Sequence, residues 1–374
     1  MIPVMKPLLG PEEAAAAAEA VASGWVAQGP RVATFEQAFA AAVQAAHGVA
    51  VSSCTAGLHL GLVLHGIGPG DEVVVPSLSF IATANAVRYT GATPVFADVD
   101  RQTGNLTAKT VDAVLSPATR AVMVVHQAGV PADLEDLRSL CDPLGLPLLE
   151  DAACAVGSTY RGRPVGAGSP LAAWSFHPRK LLTTGEGGML TLQDEAAAVR
   201  LRRLREHGMS VSAADRHASG GAVPESYLET GFNYRLTDIQ AAVGLVQLGR
   251  LDAIVTRRRD LAARYQSRLA GVPGLLTARD PAHGTTNFQS FWVLLPDDFP
   301  VSRDRLLALM HAAGISPRRG IMAAHLQPAY AGHPHVDLPV TEQLTSQSLI
   351  LPLFHDLTES EQDRVVDVLL TAAR

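Results

Sequence analysis

Lys180 stands in the run WSFHPRKLLTTGEGG, after an apolar strand-like stretch (LAAWSF) and before a Gly-rich turn. The chain holds 30 Lys+Arg, yet its only lysines are Lys6, Lys109 and Lys180. An amine that can lose its proton can form a Schiff base, and arginine cannot. The plain alternative is a surface lysine beside Arg179. Asp151 closes a second apolar run, LPLLED. A carboxylate at the carboxyl end of a parallel strand sits where α/β sheets bind ligands. Its natural use there is to pair with a cationic ring nitrogen. Pyridoxal phosphate (PLP) needs such an acid, which keeps its pyridine nitrogen protonated and its ring an electron sink. A helix-capping or turn aspartate is the competing reading.

Ser52-Ser53-Cys54-Thr55 ends one apolar run and opens another. Backbone N–H groups at a helix start can hold a phosphate, with hydroxyls at Ser53 and Thr55 as further donors. A simple Ser/Thr cap explains the same residues. Ser175, five residues before Lys180, could reach the same phosphate. Phe80 follows a strand-like run and could stack on a flat ring, or simply pack in the core. His177 and His325 are possible polar contacts. His333-Pro334-His335 lacks the cysteine or acid spacing of a metal site and reads as a loop. Asp98 and Asp100 read as a strand-end turn rather than an acid pair.

These side chains need a scaffold. Residues 11–23 and 31–46 are Ala-rich with helical spacing, and SGWVAQGPR between them is a Gly/Pro loop. HGVAVSS, GPGDEVVVP, ATPVFADVD, RAVMVVH and LPLLED read as short buried strands. Helical stretches separate them: 55–66, the start of 79–100, and others. Short apolar strands alternating with helices specify a mostly parallel sheet covered on both faces, an α/β fold. The pattern changes after residue 245. Residues 237–269 read as one or two long helices, 289–296 as a strand, and VSRDRLLALMHAAG and 359–374 as helices. We divide the chain into a large α/β domain, 1–245, and a smaller α+β domain, 246–374. The polar, Gly-rich segment 208–230 reads as a long functional loop.

Composition narrows the class. At 374 residues and 47% hydrophobic content, the chain can bury a large core. A net charge of −6 argues against nucleic acid or an anionic membrane surface as partner. Three cysteines, Cys54, Cys141 and Cys154, with no C-x-x-C pair indicate neither a disulfide framework nor a zinc finger. No apolar signal core and no run of eighteen apolar residues appears, so a soluble cytoplasmic protein is expected. A dinucleotide-binding dehydrogenase would need G-x-G-x-x-G after the first strand, and HGVAVSSCTAGLHLG lacks it.

Taken in order, SGWVAQGPRVATFE, SSCTAGLHL, GPGDEVVVPSLSFIATANAVRYTGATPVFADVD, VHQAGVPAD, EDAACAVGSTYRGRPVG, SFHPRKLLTTGEGGML, GFNYRLTDIQAAVG, HLQPAY and LPLFHDLT resemble the DegT/StrS nucleotide-sugar aminotransferase family. The resemblance spans essentially the whole chain. It implies the PLP fold type I architecture, with a mostly parallel seven-stranded sheet. It implies that Lys180 forms the Schiff base with PLP and shuttles the proton, and that Asp151 pairs with the pyridine nitrogen. Phe80 would stack on the ring. Thr55, Ser175 and the Cys54 N–H would bind the phosphate. Asn233, in GFNYR, would reach the cofactor of the neighbouring subunit, which implies a homodimer with shared active sites. Trp25, His325 and the 208–230 loop would lie near the sugar nucleotide.

The chain departs from the family at two positions. Cys54 stands where relatives commonly have Gly or Ala. Cys154 stands where they commonly have Gln or His, a side chain that usually touches the cofactor's 3-hydroxyl, and cysteine is a weak hydrogen-bond partner. A relative with His in place of the lysine dehydrates its substrate, so Lys180 favours aminotransfer. The resemblance implies ping-pong transfer from glutamate (or glutamine) to a keto nucleotide sugar. Several segments look closer to the branch that aminates C4 of UDP-linked pentoses and hexoses, as in 4-amino-4-deoxyarabinose formation, than to the C3 branch. The alternatives are C3 amination, a keto-cyclitol acceptor, or a non-catalytic PLP-binding regulator. A cysteine desulfurase would need its thiol on a mobile loop.

Overall fold

A computed structural model describes residues 1–211 and 224–374. Its centre is a seven-stranded sheet. In chain order the strands are β1 (His47–Val51), β2 (Glu72–Pro76), β3 (Thr93–Ala97), β4 (Thr119–Val125), β5 (Leu148–Asp151), β6 (Ala172–Ser175) and β7 (Gly188–Leu192). Their spatial order is β1-β7-β6-β5-β4-β2-β3. Only β7 runs against its neighbours; the pairs β2–β3, β2–β4, β4–β5 and β5–β6 are parallel. The expected mostly parallel α/β sheet is therefore present.

Side chains alternate across this sheet with a period of two. Val73, Val75, Ala121 and Met123 pack with the helix Cys54–Leu64, while Val74, Val122 and Val124 face the opposite layer. Both faces are covered, which is why the strands read as unbroken apolar runs. The helices Pro11–Ala22 and Pro30–Ala42 each begin with a proline, whose missing N–H costs nothing there.

The expected long helical region, 237–269, is two helices. Asp238–Gly249 and Leu251–Leu269 meet at Arg250 with a 56° bend. Residue 245, where the sequence pattern changes, lies inside the first of them. A four-stranded antiparallel sheet follows, ordered 276–277, 291–294, 348–351 and 318–319. The helices Arg303–Ala312 and Glu359–Ala372 pack with it. One apolar cluster runs from Val74 and Val122 through Leu261 and Tyr265 to Phe291 and Leu349.

One expectation changes in detail. Asp98 is more than a strand-end turn: its carboxylate accepts the N–H groups of Val340 (3.0 Å) and Thr341 (2.8 Å) and so caps the helix Pro339–Gln347. Asp100 does hold a turn, accepting from Gln102 and Thr103. Cys141 is the last residue of the helix Leu134–Cys141, and burial pushes its thiol up to about 11. No single helix among the described residues is long and apolar enough to cross a membrane.

Candidate active site

The carboxyl ends of β1, β2, β4, β5 and β6 lie along one edge of the sheet, and each delivers polar groups there. β1 leads into Ser53, whose Oγ accepts the Ala56 N–H (3.1 Å) and caps the helix Cys54–Leu64. The first N–H groups of that helix remain available to an anion. The antiparallel β7 starts at the same edge. Gly188 pairs with Val51 on one side and Ser175 on the other, and a Cβ on it would fall 2.5 Å from the Ser53 carbonyl carbon. Glycine is required for this approach.

β5 ends on Asp151 and runs on to Cys154. β6 ends on Ser175, and the turn after it brings back Lys180, whose N–H donates to the His177 carbonyl (2.8 Å). The Lys180 Nζ lies 3.0 Å from Cys154 Sγ. Asp151 is buried and well held. Its Oδ1 accepts the Ala153 N–H (3.1 Å), and its Oδ2 accepts the Thr83 hydroxyl (3.0 Å). Cys54 Sγ lies 3.9 Å from Oδ1.

Electrostatics follow from this packing. Burial holds the Asp151 carboxyl above its usual range, opposed by the Ala153 N–H, Lys180 and Thr83. Burial alone would push the Lys180 ammonium down. Cys154, then Asp151, outweigh it and hold it above its ordinary value. Burial, then Asp151, pushes the Cys54 thiol well up, so that it stays protonated. The donor set suits PLP: a lysine amine, a buried carboxylate beside it, and a serine-capped helix start on the same sheet edge.

The other expected residues fall at varied distances from this centre. Phe80 is 63% exposed, so it does not serve core packing, and its ring is available for stacking. Thr55 and Ser175 are half-buried at the strand ends. His177 accepts the Arg179 N–H at its Nδ1 (3.1 Å), and burial lowers its proton affinity. Asn233 is exposed and bridges the backbone of Glu206, while the next carbonyl, of Tyr234, accepts the Ser52 N–H (2.8 Å). Trp25 is half-buried in the loop before Gly29, whose N–H donates to the Asp238 carboxylate (2.8 Å). His325 is fully enclosed. Its Nδ1 lies 2.6 Å from Ser77 Oγ and its Nε2 lies 3.4 Å from Glu342 Oε1. His335 lies in a loop, and among the described residues no three His, Cys, Asp or Glu side chains are grouped to hold a metal. The expected 208–230 loop lies in part, at 212–223, outside the described residues.

The sequence profile of the DegT/DnrJ/EryC1/StrS aminotransferase family matches residues 7–370. The chain belongs to this family. Among solved structures, the aminotransferase TlmJ from Streptoalloteichus hindustanus is 39% identical, with a TM-score of 0.90 over 100% of this chain and 98% of its own. DesI, solved in the presence of its TDP-sugar product, is 33% identical, with a TM-score of 0.89 over 99% and 92%. A protein described as a sugar aminotransferase, Spr1654 from Streptococcus pneumoniae, is 25% identical in its PLP form, with a TM-score of 0.92 over 100% and 98%. The protein is thus a PLP-dependent sugar aminotransferase of the DegT/DnrJ/EryC1/StrS family.

Thr83 and His126 were not singled out in the sequence. His126 ends the apolar run of β4 just as Asp151 ends that of β5, and the same argument flags it. Its Nδ1 accepts the Ala132 N–H (3.0 Å), so Nε2 carries the proton and faces Glu150 Oε2 at 3.2 Å. Its own N–H donates to the Asp151 carbonyl (3.1 Å) and steadies that strand end. Thr83 left no signal, because a threonine inside a helix is ordinary.

Proposed function

We propose that the enzyme moves an amino group from glutamate (or glutamine) to C4 of a keto nucleotide sugar, in two half-reactions that share one lysine. The observation that carries the reading is the Lys180 amine beside buried Asp151 at the sheet's carboxyl edge. DesI, similar over nearly its whole length, is recorded with a TDP-sugar product, which supports the nucleotide-sugar class.

Lys180 would hold PLP through its amine. Asp151 would face the ring nitrogen, and Phe80 would cover the ring. Thr55, Ser175 and the Cys54 N–H would take the phosphate. Cys154 would lie beside the lysine contact. When bound, PLP supplies an electron sink for the charge left as a C–H bond next to nitrogen breaks. The proton is the lysine's task. Once its amine is free, Lys180 Nζ takes the proton from the donor's α-carbon and later returns one to the sugar carbon that becomes the amine carbon. Neighbours that favour the ammonium suit a group that must hold that proton between steps. Asp151 keeps its negative charge opposite a cation and so favours the electron-poor ring. Asn233 would act across a homodimer, completing the partner's site. Trp25 and His325 would shape the sugar-nucleotide end, His325 through Ser77 and the segment that carries Phe80.

The test is a visible spectrum of the PLP-loaded enzyme with glutamate and glutamine, then with 4-keto and 3-keto nucleotide sugars. Loss of the yellow band with either donor, and an amine at C4 located by NMR, is the expected result. Amine at C3 or on a cyclitol would reassign the acceptor. A band indifferent to every donor would support a binding protein instead.

A further inference from the structure

Lys180 and Cys154 reach each other from different strand ends. A thiol is a weak hydrogen-bond partner, so their 3.0 Å contact cannot fix its own geometry. A third segment, Asn287–Gln289, touches both. Gln289 brackets the lysine: its Nε2 donates to the Arg179 carbonyl (2.6 Å) and its Oε1 accepts the Leu181 N–H (3.1 Å). Asn287 holds the cysteine: its Nδ2 donates to the carbonyls of Cys154 (2.8 Å) and Val156 (2.7 Å). The two are joined, because Asn287 Oδ1 accepts the Gln289 N–H (2.7 Å). Every polar atom of the Asn287 amide is used, and the residue is fully buried.

The turn is itself braced. Phe288 between them has φ +50°, a left-handed conformation that costs a bulky side chain energy and persists only when its surroundings impose it. Arg258 imposes it. This buried guanidinium donates to the carbonyls of Phe288 (2.9 Å), Gln289 (2.8 Å) and Leu353 (2.9 Å). Burial pushes Arg258 down to about 9, so it remains charged near neutral pH. On the other side, a Cβ at Gly129 (φ +93°) would fall 1.9 Å from Asn287 Oδ1, so glycine there leaves room for the amide.

We propose that Asn287 and Gln289 are positioning residues that fix the spacing between Lys180 and Cys154, on which the reactivity of the lysine amine depends. The proposal rests on Lys180 being the lysine that holds PLP. Neither residue touches the amine; each acts through backbone on one member of the pair.

The test uses the PLP-loaded enzyme and the variants Gln289→Met, which removes both hydrogen bonds at similar volume, and Gln289→Glu, which keeps the acceptor and loses the donor. The midpoint of the visible absorbance change with pH is measured, together with the rate of PLP release and the melting temperature. The midpoint is expected to move by about one pH unit in Gln289→Met and by less in Gln289→Glu. Release is expected to quicken about tenfold in Gln289→Met, the same energy read as a rate. An unmoved midpoint in folded variants overturns the proposal, including where only the melting temperature falls. If Gln289→Met does not fold, Gln289→Glu decides alone. Borohydride reduction of the wild-type enzyme and peptide mapping test the underlying assignment separately. PLP fixed to a residue other than Lys180 would defeat it whatever Gln289 does.

Discussion

Asp151 must be ionised to oppose a ring cation, yet its burial favours the neutral acid. The Ala153 N–H, the Lys180 ammonium and the Thr83 hydroxyl oppose that burial and stabilise the charge. Thr83→Val removes one of them at nearly constant volume. The sign is fixed: a hydrogen bond to the carboxylate lowers its pKa, so losing it raises the pKa further. The acid limb of kcat/KM against pH should move upward by about one unit, with the plateau little changed. A limb at the wild-type position would show that Thr83 does not tune Asp151. Asp151→Asn keeps the shape and loses the charge, so PLP should stay bound while turnover falls by about 10³-fold or more. Near-normal rates would remove Asp151 from its role. Asp151 was legible in the sequence because it ends a strong apolar run, and Lys180 because it is one of three lysines and lies between an apolar strand and a Gly-rich turn. Thr83 was not, because its importance comes only from where the next strand places Asp151.

At the scale of elements, β7 decides whether the helix start near Cys54 is usable. This strand runs against the rest of the sheet, and its first residue lies under the Ser53–Cys54 peptide. In Gly188→Ala the new Cβ meets backbone rather than a movable side chain: the Ser53 carbonyl carbon at 2.5 Å and the Cys54 nitrogen at 2.6 Å. The turn must shift, at about 1–3 kcal/mol of stability, readable by urea denaturation. The same shift should misalign the N–H groups and weaken PLP affinity about tenfold, readable by equilibrium dialysis. Gly68→Ala, with open space around its Cβ, is the control and should match wild type. The strands and their alternation with helices were readable from periodicity, whereas the expected boundary at 245 falls inside the helix Asp238–Gly249. The sequence leaves open whether 237–269 is one helix or two, because the lone Gly249 before the break at Arg250 is also tolerated inside a helix. The Asn287–Gln289 turn was hidden: NFQS looks like the approach to a strand, and the bonds from its side chains to the Cys154 and Lys180 segments cross more than a hundred residues.

For the whole molecule, the question is whether one chain makes one complete site. The described residues place Lys180, Asp151 and Cys154 together within a single chain. No hydrogen bond among them joins Asn233 to that cluster, although its neighbour Tyr234 is tied to Ser52 beside the helix start. An exposed asparagine there is well placed to serve a second copy, and a two-fold dimer would return the favour symmetrically. This yields a prediction that neither variant alone can make. Lys180→Ala abolishes activity in its own site; Asn233→Ala, if the site is shared, cripples the partner's. Mixing the two proteins under conditions that exchange subunits makes half of the dimers mixed. In each mixed dimer both lesions fall in one site, and the other site has Lys180 from one chain and Asn233 from its partner. Activity should then rise to about a quarter of wild type from two nearly inactive stocks. Were each chain to supply its own Asn233, mixing would give only the average of the two stocks, and the shared-site reading would fail.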